Sequence, residues 1–188
     1  SIRLKMELEL LFKSKDWKNA LTKLQEWGGL KIIDSKLQND QNLLEKIIIA
    51  KNTNIEPLTA FIYESENPFY LSRRLQLSQS QTEIIEGALA LNNHLKNINS
   101  NESYKNWPAS KWTTILEEIN VSESSFVLEI CRKNPLKKYL KSWLYSWKNI
   151  NSPIKGDDLI AQGWESGPEL GIEINRQRMK LIDEQNII

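Results

Sequence analysis

The stretch LSQSQTEIIEGALALNNHLKNI, residues 77–98, decides the fold class. Its apolar residues recur at spacings of four, three, four and three positions, which is the period of one face of an α-helix. The members of this stripe are Ile84, Ala88, Leu91, Leu95 and Ile98. Ser80 and Glu83 have the spacing of a capping box and predict where the helix begins. The stretch therefore predicts one long amphipathic helix.

The segments before and after it also read as helices. In residues 15–29, KDWKNALTKLQEWGG, one helical face carries Trp17, Ala20, Leu21, Leu24 and Trp27, and Gly28–Gly29 predicts the stop. Residues 1–12 alternate like a strand, but they are mostly helix formers, so we predict a helix there as well. Further helix starts are predicted at Asp34, Pro57, Pro108, Ser122 and Pro135.

Composition supports the same fold class. Seven glycines and six prolines in 188 residues are too few for the many turns of an all-β sandwich or barrel. We therefore predict an all-α fold of roughly ten helices. The polar, unpatterned residues 97–106 predict an exposed linker between two subdomains.

Charge and cysteine content limit the functional classes. The net charge of +1 provides no global field for nucleic acid, so any basic face must arise from local clustering. A single cysteine, Cys131, excludes an internal disulfide and fits a reducing compartment. We find neither a membrane-spanning apolar run nor a signal peptide, and we expect a cytoplasmic protein. A start at Ser1 without methionine suggests a fragment of a longer chain.

The common catalytic constellations are missing from the sequence. There is no Cys/His cluster for zinc and no glycine-rich phosphate loop. The single histidine, His94, lies beside the apolar stripe and is expected at the surface. The carboxylate pairs Glu64/Glu66 and Glu117/Glu118 are expected on solvated faces. Catalysis by this chain alone is therefore not expected.

A basic stretch, CRKNPLKKYLKSWLYSWK at residues 131–148, contains no acidic residue. On a helical wheel one arc is apolar, with Leu136, Leu140, Trp143 and Trp147, and a separate arc carries the lysines. Ammonium groups beside an aromatic ring form an RNA-binding composition. The candidate RNA-binding residues are Arg132, Lys133, Lys137, Lys138, Lys141, Tyr145 and Lys148. An ordinary solvated helix face remains the alternative.

A glycine-rich stretch, IKGDDLIAQGWESGPELG at residues 154–171, raises a second question. It predicts a short helix capped by Asp157 or Asp158 and stopped at Gly163, then a long helix from Pro168 to about Asp183. Free N–H groups at that second helix could bind phosphate, but Pro168 has no N–H and Glu169 already complements the dipole. We favour a structural corner over a phosphate site, and we expect a side chain at Gly167 to crowd the entry to the last helix.

This corner resembles the C-terminal signature of the bacterial tRNA nucleotidyltransferase and poly(A) polymerase family, the class II CCA-adding enzymes. The resemblance spans residues 153–171 and the following RQRMKLIDE, residues 176–184. The matching positions are Pro153, Gly156, Asp158, Leu159, Gly163, Gly167, Pro168 and Gly171. Gln162 stands where the family favours leucine, and Ser166 where it favours proline.

The N-terminal part is similar to the neck pattern of the same family. The matching positions are Arg3, Glu7, Ala20, Leu21, Leu24, Gly28 and Leu30. Together the two resembling segments cover about a third of the chain. The family's catalytic-head motifs, G-S-x-x-R-D and D-x-D, and its base-reading E-D-x-x-R element are absent.

The resemblance implies a neck–body–tail fragment that binds RNA and is inactive alone. Implied divisions are the rest of the neck at 1–34, a helical body at 35–100, a body with the basic helix at 101–150, and a tail at 151–188. The implied partner is tRNA or another RNA 3′ end, held by its acceptor and T arms. An N-terminal head would add CCA or A there, using Mg²⁺ and CTP or ATP, and no cofactor is expected in this fragment.

Two other functions stay open. A stand-alone helical interaction module could use exposed aromatic residues, for which Phe69, Tyr70 and Trp164 are candidates. A small metal-dependent hydrolase would need a carboxylate pair such as Asp157 and Asp158.

Overall fold

A computed structural model describes residues 1–100, 102–132 and 134–185. The described chain is 74% helical, with twelve α-helices and no β-strand, which confirms the predicted all-α fold. The α-helices are α1 (Ile2–Lys13), α2 (Trp17–Glu26), α3 (Ser35–Asn39), α4 (Leu43–Asn52), α5 (Pro57–Tyr63), α6 (Pro68–Leu75), α7 (Gln79–Ser100), α8 (Ala109–Glu118), α9 (Glu123–Ile130), α10 (Lys137–Tyr145), α11 (Gly156–Ala161) and α12 (Pro168–Glu184). Short 3₁₀ helices lie at Gly29–Ile32, Glu102–Asn106 and Trp147–Asn149.

Several helix ends follow their sequence signals. Gly28 has φ of 74°, in the left-handed region that the stop after α2 requires. The Asp34 carboxylate caps α3 by accepting from the N–H groups of Lys36 and Leu37 at 2.9 and 3.0 Å. The Ser122 hydroxyl caps α9. These local predictions are confirmed because each depends only on neighbouring residues.

The start of α7 differs from the prediction. The helix begins at Gln79, so the capping box is formed by Ser78 and Gln81 and not by Ser80 and Glu83. The Gln81 N–H donates to Ser78 Oγ at 3.3 Å, and the Ser78 N–H donates to Gln81 Oε1 at 3.0 Å. A glutamine two positions earlier serves the role that the sequence suggested for glutamate.

The chain forms two compact units. The first contains residues 1–94 and 121–134, and the second contains residues 95–120 and 135–188. The predicted linker at 97–106 is wrong over its described part, because α7 continues to Ser100 and a 3₁₀ helix follows. Ile98 and Tyr104 are both buried there. The units also cut across the four implied divisions, since residues 121–134 return to the first unit.

The first unit is organised around an aromatic and aliphatic core. Phe12 of α1 meets Trp17 and Phe61 edge to face, with ring centroids 6.1 and 5.8 Å apart. Buried Leu21 and Ile47 extend this core across α2 and α4. Each such side chain contributes about 1.5–3 kcal/mol through burial, so the helix-stripe residues provide most of the driving force. One predicted member of the α2 face, Trp27, is instead 79% exposed, because α2 ends before it.

The second unit packs around tryptophans. Trp112 of α8 is fully buried, and Trp143 and Trp147 lie against the same interior with leucines from α10. The last helix, α12, contacts α8 and contributes Ile182 to the core.

Candidate nucleic-acid interface

Helix α10 presents the predicted lysines on the outside of the second unit. Its inner side consists of Leu136, Leu140, Trp143 and Leu144, all buried, and Trp147 just beyond it is buried too. The predicted apolar arc is therefore confirmed. On the outer side Lys138, Lys141 and Tyr145 are exposed, and Lys137 is half-buried.

The charged side chains of α10 on this outer side are all positive. Among the described residues, no carboxylate oxygen lies within 4.0 Å of the ammonium groups of Lys137, Lys138 or Lys141. The first turn of α10 contains two lysines and no acid, although a helix N-terminus favours negative charge. Helix stability does not explain lysines at these positions.

The far end of the basic stretch departs from the predicted wheel. The predicted wheel treats the basic stretch as one helix through Lys148, but α10 ends at Tyr145, and Ser146 has φ of −129° and ψ of −71°. Lys148 consequently lies in the 3₁₀ helix, with its Nζ 5.9 Å from the centroid of the Trp143 ring. Tyr145 remains on the lysine side and is 63% exposed. The structure thus joins Lys137, Lys138, Lys141 and Tyr145 on one helix face.

Arg132 belongs to the first unit, where it has intramolecular partners. Its Nε donates to Glu64 Oε1 at 3.3 Å, and its guanidinium lies 4.0 Å from the centroid of the Tyr63 ring. Glu64 is buried and also binds Lys46 at 2.9 Å, so its expected place on a solvated face is wrong. These contacts give Arg132 a structural role. Lys133 lies outside the described residues.

Beneath Arg132 is a buried carboxylate. Glu129 is fully buried and accepts a hydrogen bond from the Tyr63 hydroxyl. With the Asn92 amide oriented to satisfy both neighbours, Nδ2 donates to Glu129 Oε1 at 3.2 Å and Oδ1 accepts from Arg132 Nη1 at 2.8 Å. Burial raises the pKa of Glu129 to about 7, although Arg132 and Asn134 favour the carboxylate. This network stabilises the first unit and is not part of the α10 surface.

An aromatic cluster adjoins α10 in the second unit, and the sequence did not predict it. Tyr139 stacks on Trp112 with ring centroids 4.3 Å apart and planes 13° apart. Trp107 contacts the same indole at 5.3 Å. Lys138 Nζ lies 4.8 Å from the centroid of Tyr139, and Lys111 Nζ lies 4.1 Å from that of Trp107. The only sequence signal was the density of aromatic residues in 104–112 next to lysines, which has no helical period.

The glycine-rich corner is built from local hydrogen bonds. The Asp158 carboxylate accepts from the Lys155 N–H at 3.0 Å at the start of α11. Gly163, with φ of 94°, ends α11 in a Schellman motif: its N–H donates to Ile160 O at 2.9 Å, and the Trp164 N–H donates to Leu159 O at 3.1 Å. Asp158 therefore takes part in capping from the third position of α11, whereas the N-cap position that the sequence suggested for Asp157 or Asp158 is occupied by Lys155.

At the other glycines of the corner, backbone conformation and space exclude a side chain less strictly than at Gly163. Gly167 precedes Pro168 with φ of 172° and ψ of −173°, an extended backbone that any residue adopts, and a Cβ there would meet nothing within 4 Å. The expectation that a side chain at Gly167 would crowd the entry to α12 is wrong at the Cβ position. Gly171 is equally open, whereas a Cβ at Gly156 would lie 3.3 Å from Leu170 Cδ2.

The last helix is held to α8 by two polar contacts. The Ser110 N–H and hydroxyl both donate to the Asp183 carboxylate at 2.8 Å. Arg178 makes a two-pronged contact with Glu117 at 2.7 and 3.1 Å, and its Nε donates to Ile150 O at 2.7 Å. Glu117 is thus an ion-pair partner and not only a solvated acid.

The described ranges contain no group of three or more side chains placed to hold a metal ion. No helix in the described part of the chain combines the length and apolar character needed to cross a membrane. No family model, curated protein or solved structure matches the chain.

Proposed function

We propose that the second unit binds RNA through the outer side of α10. The observation that carries this proposal is the face formed by Lys137, Lys138, Lys141 and Tyr145. This face bears positive charge, and no carboxylate oxygen of the described residues lies within 4.0 Å of its ammonium groups. Two of these lysines lie where the helix dipole disfavours them, and phosphate oxygens would supply the missing negative charge. An exposed tyrosine beside them suits ribose contact or base stacking.

The resemblance to CCA-adding enzymes and poly(A) polymerases suggests which RNA is bound. In this proposal the chain is the neck, body and tail of a cytoplasmic template-independent nucleotidyltransferase, and it holds the acceptor and T arms of tRNA. A catalytic head outside this chain transfers nucleotides from CTP or ATP with Mg²⁺. The helix–turn–helix corner at α11 and α12 fixes the geometry of the tail, consistent with its local hydrogen bonds.

Binding to tRNA across a salt series tests the proposal, with an unstructured RNA of equal length as the comparison. We expect tighter binding to tRNA and a steep fall in affinity with salt, because phosphate contacts release counterions. Reversing charge in the pair Lys138→Glu and Lys141→Glu should weaken tRNA binding by roughly tenfold or more.

A matched control changes net charge equally elsewhere. Arg73→Glu with Lys96→Glu alters two exposed basic residues outside α10. The control should leave affinity near that of the unchanged chain. Equal losses in both double variants would show a non-specific charge effect and contradict the assignment to α10.

An interaction module is the second candidate, favoured by apolar exposure in the first unit. Trp27 and Ile32 are 79% and 80% exposed, and Leu10 and Ile32 line an open apolar groove of about 550 Å³. The aromatic residues suggested earlier, Phe69, Tyr70 and Trp164, are also exposed. Binding of a protein partner that is insensitive to salt and is lost in the Ile32→Ser variant would favour this function, provided that the affinity of the variant for RNA is unchanged.

A further inference from the structure

The aromatic cluster beside α10 has an unusual construction. Two half-buried rings, Tyr139 and Trp107, contact one fully buried indole, Trp112. Tyr104 packs its edge against both Tyr139 and Trp112, with centroids 6.2 Å away in each case. Because packing fixes the rings on their inner sides, little conformational entropy remains to be lost when a ligand stacks on them.

A lysine ammonium lies close to each of these two rings. One face of Tyr139 is occupied by the Trp112 stack, so the Lys138 ammonium lies over the other face. Lys111 Nζ lies 4.1 Å from the centroid of Trp107, whose ring plane is tilted 54° from that of Trp112. Both lysines are exposed and joined to the backbone by flexible four-carbon chains. An exposed ammonium–ring contact is weaker than the stacking of a nucleobase, so a base can displace the lysine.

From this arrangement we propose that Tyr139 and Trp107 form a stacking site for unpaired nucleobases. A base stacking on Tyr139 would release the Lys138 ammonium, which can then pair with the phosphate of the same or the next nucleotide. Lys138 thus contacts the Tyr139 ring when the site is empty and a phosphate when a nucleotide is bound. Lys138 also belongs to the α10 face, so the stacking site continues the proposed phosphate-binding surface.

The ligand class follows from the two chemistries present. Paired bases are stacked inside a duplex and offer no free face, whereas unpaired nucleotides offer a ring face and a phosphate together. The site therefore selects single-stranded nucleotides adjoining the segment that α10 holds. This inference rests on the proposed RNA binding of the second unit.

The test compares two probes on the intact chain by fluorescence anisotropy at constant salt. One probe is an oligouridylate of about twelve nucleotides, and the other is a ribose–phosphate chain of equal length without bases. The unchanged protein should bind the oligouridylate more tightly. Tyr139→Leu should lower oligouridylate affinity by roughly tenfold and leave affinity for the abasic chain unchanged. Tyr139→Phe, which keeps the ring, should bind like the unchanged protein.

Controls separate stacking from structure and from the broader proposal. Tyr70→Leu removes an exposed aromatic residue of the first unit and should not change affinity for either probe. If Tyr139→Leu loses helical content, Trp107→Leu carries the same test at the other ring. Equal affinity of the unchanged protein for both probes, or an equal loss for both in the variants, would overturn the stacking site alone. Failure to bind either probe would overturn the RNA-binding proposal itself.

Discussion

The hydroxyl of Tyr63 donates a hydrogen bond to the fully buried carboxylate of Glu129 in the interior of the first unit. The same carboxylate faces the Asn92 amide, Arg132 and Asn134. Arg132 also forms an ion pair with Glu64, and Glu64 forms a second ion pair with Lys46. Removing one member of such a network leaves a buried partner unsatisfied, which costs more than the hydrogen bond itself.

Glu129 should make stability depend on pH. Its pKa is about 7 in the folded unit against an ordinary 4.5, so between these values the folded state keeps a proton that the unfolded chain has lost. The stabilisation is complete below about pH 4.5 and is lost as pH rises to about 7. The expected fall in the free energy of unfolding is about 3 kcal/mol, from 1.36 kcal/mol per unit of pKa.

Urea unfolding between pH 4.5 and 8 would measure this, with Glu129→Gln as the comparison. The amide is neutral throughout, so the variant should show little slope across the window. Glu173, whose pKa its hydrogen bonds with Arg176 and Gln177 lower to about 2, loses its stabilising contacts only as pH falls below the window and does not interfere. A slope of equal size in the variant would assign the pH dependence to other groups.

Arg178 should hold α12 to the rest of the second unit. Arg178→Met keeps the aliphatic stem but removes the contacts with Glu117 and Ile150 O, with an expected cost of about 2 kcal/mol. Thermal unfolding of the intact chain provides the measurement. Arg176→Met is the control, because the ion pair that Arg176 forms within the described residues is with Glu173 of its own helix and Arg176 is mostly exposed. No measurable change is expected from this variant. Equal losses in both variants would contradict a special role for Arg178.

The contrast between these contacts and the helix stripes shows what the sequence could predict. Leu136, Leu140 and Trp143 were assigned to the buried side of α10 correctly, because helical period alone decides it. Arg132 and Glu64 are 68 positions apart, and no local pattern relates them, so Arg132 was predicted to face RNA. The stack of Tyr139 on Trp112 is non-local in the same way.

Backbone details at helix ends were predicted less well than helix faces. Lys148 was predicted to lie on the same helical arc as the other lysines, but Ser146 leaves the helical conformation and the helix ends before Lys148. The glycines at 163 and 167 look alike in sequence, yet only the first has a φ in the left-handed region, whereas the second has extended backbone. Such differences depend on how each loop is closed, which residue type alone does not specify.

That difference between the two glycines gives a direct prediction. Gly163→Ala forces a Cβ into the left-handed region and should cost about 1 kcal/mol, a fall in melting temperature of about 2–4 °C. Gly167→Ser places a good N-cap residue in open, extended backbone and should be neutral or slightly stabilising. Differential scanning calorimetry of the two variants checks the order. A larger loss at Gly167 than at Gly163 would contradict the backbone assignment.

The salt dependence of RNA binding measures how many phosphate contacts the lysines of α10 make. Each ammonium that neutralises a phosphate contributes about 0.7 to 0.9 to the slope of log K against log salt. Lys138→Met and Lys141→Met, which keep most of the side-chain length, should each reduce the slope by about that amount. Lys96→Met, outside α10, should leave it unchanged. Arg132→Met removes the contacts of Arg132 with Glu64 and Tyr63 and should therefore lower the stability of the first unit. At temperatures where that unit is folded, this variant should not alter the salt slope. Slopes that stay constant for both α10 variants would mean that these lysines do not meet phosphate, even if overall affinity declines.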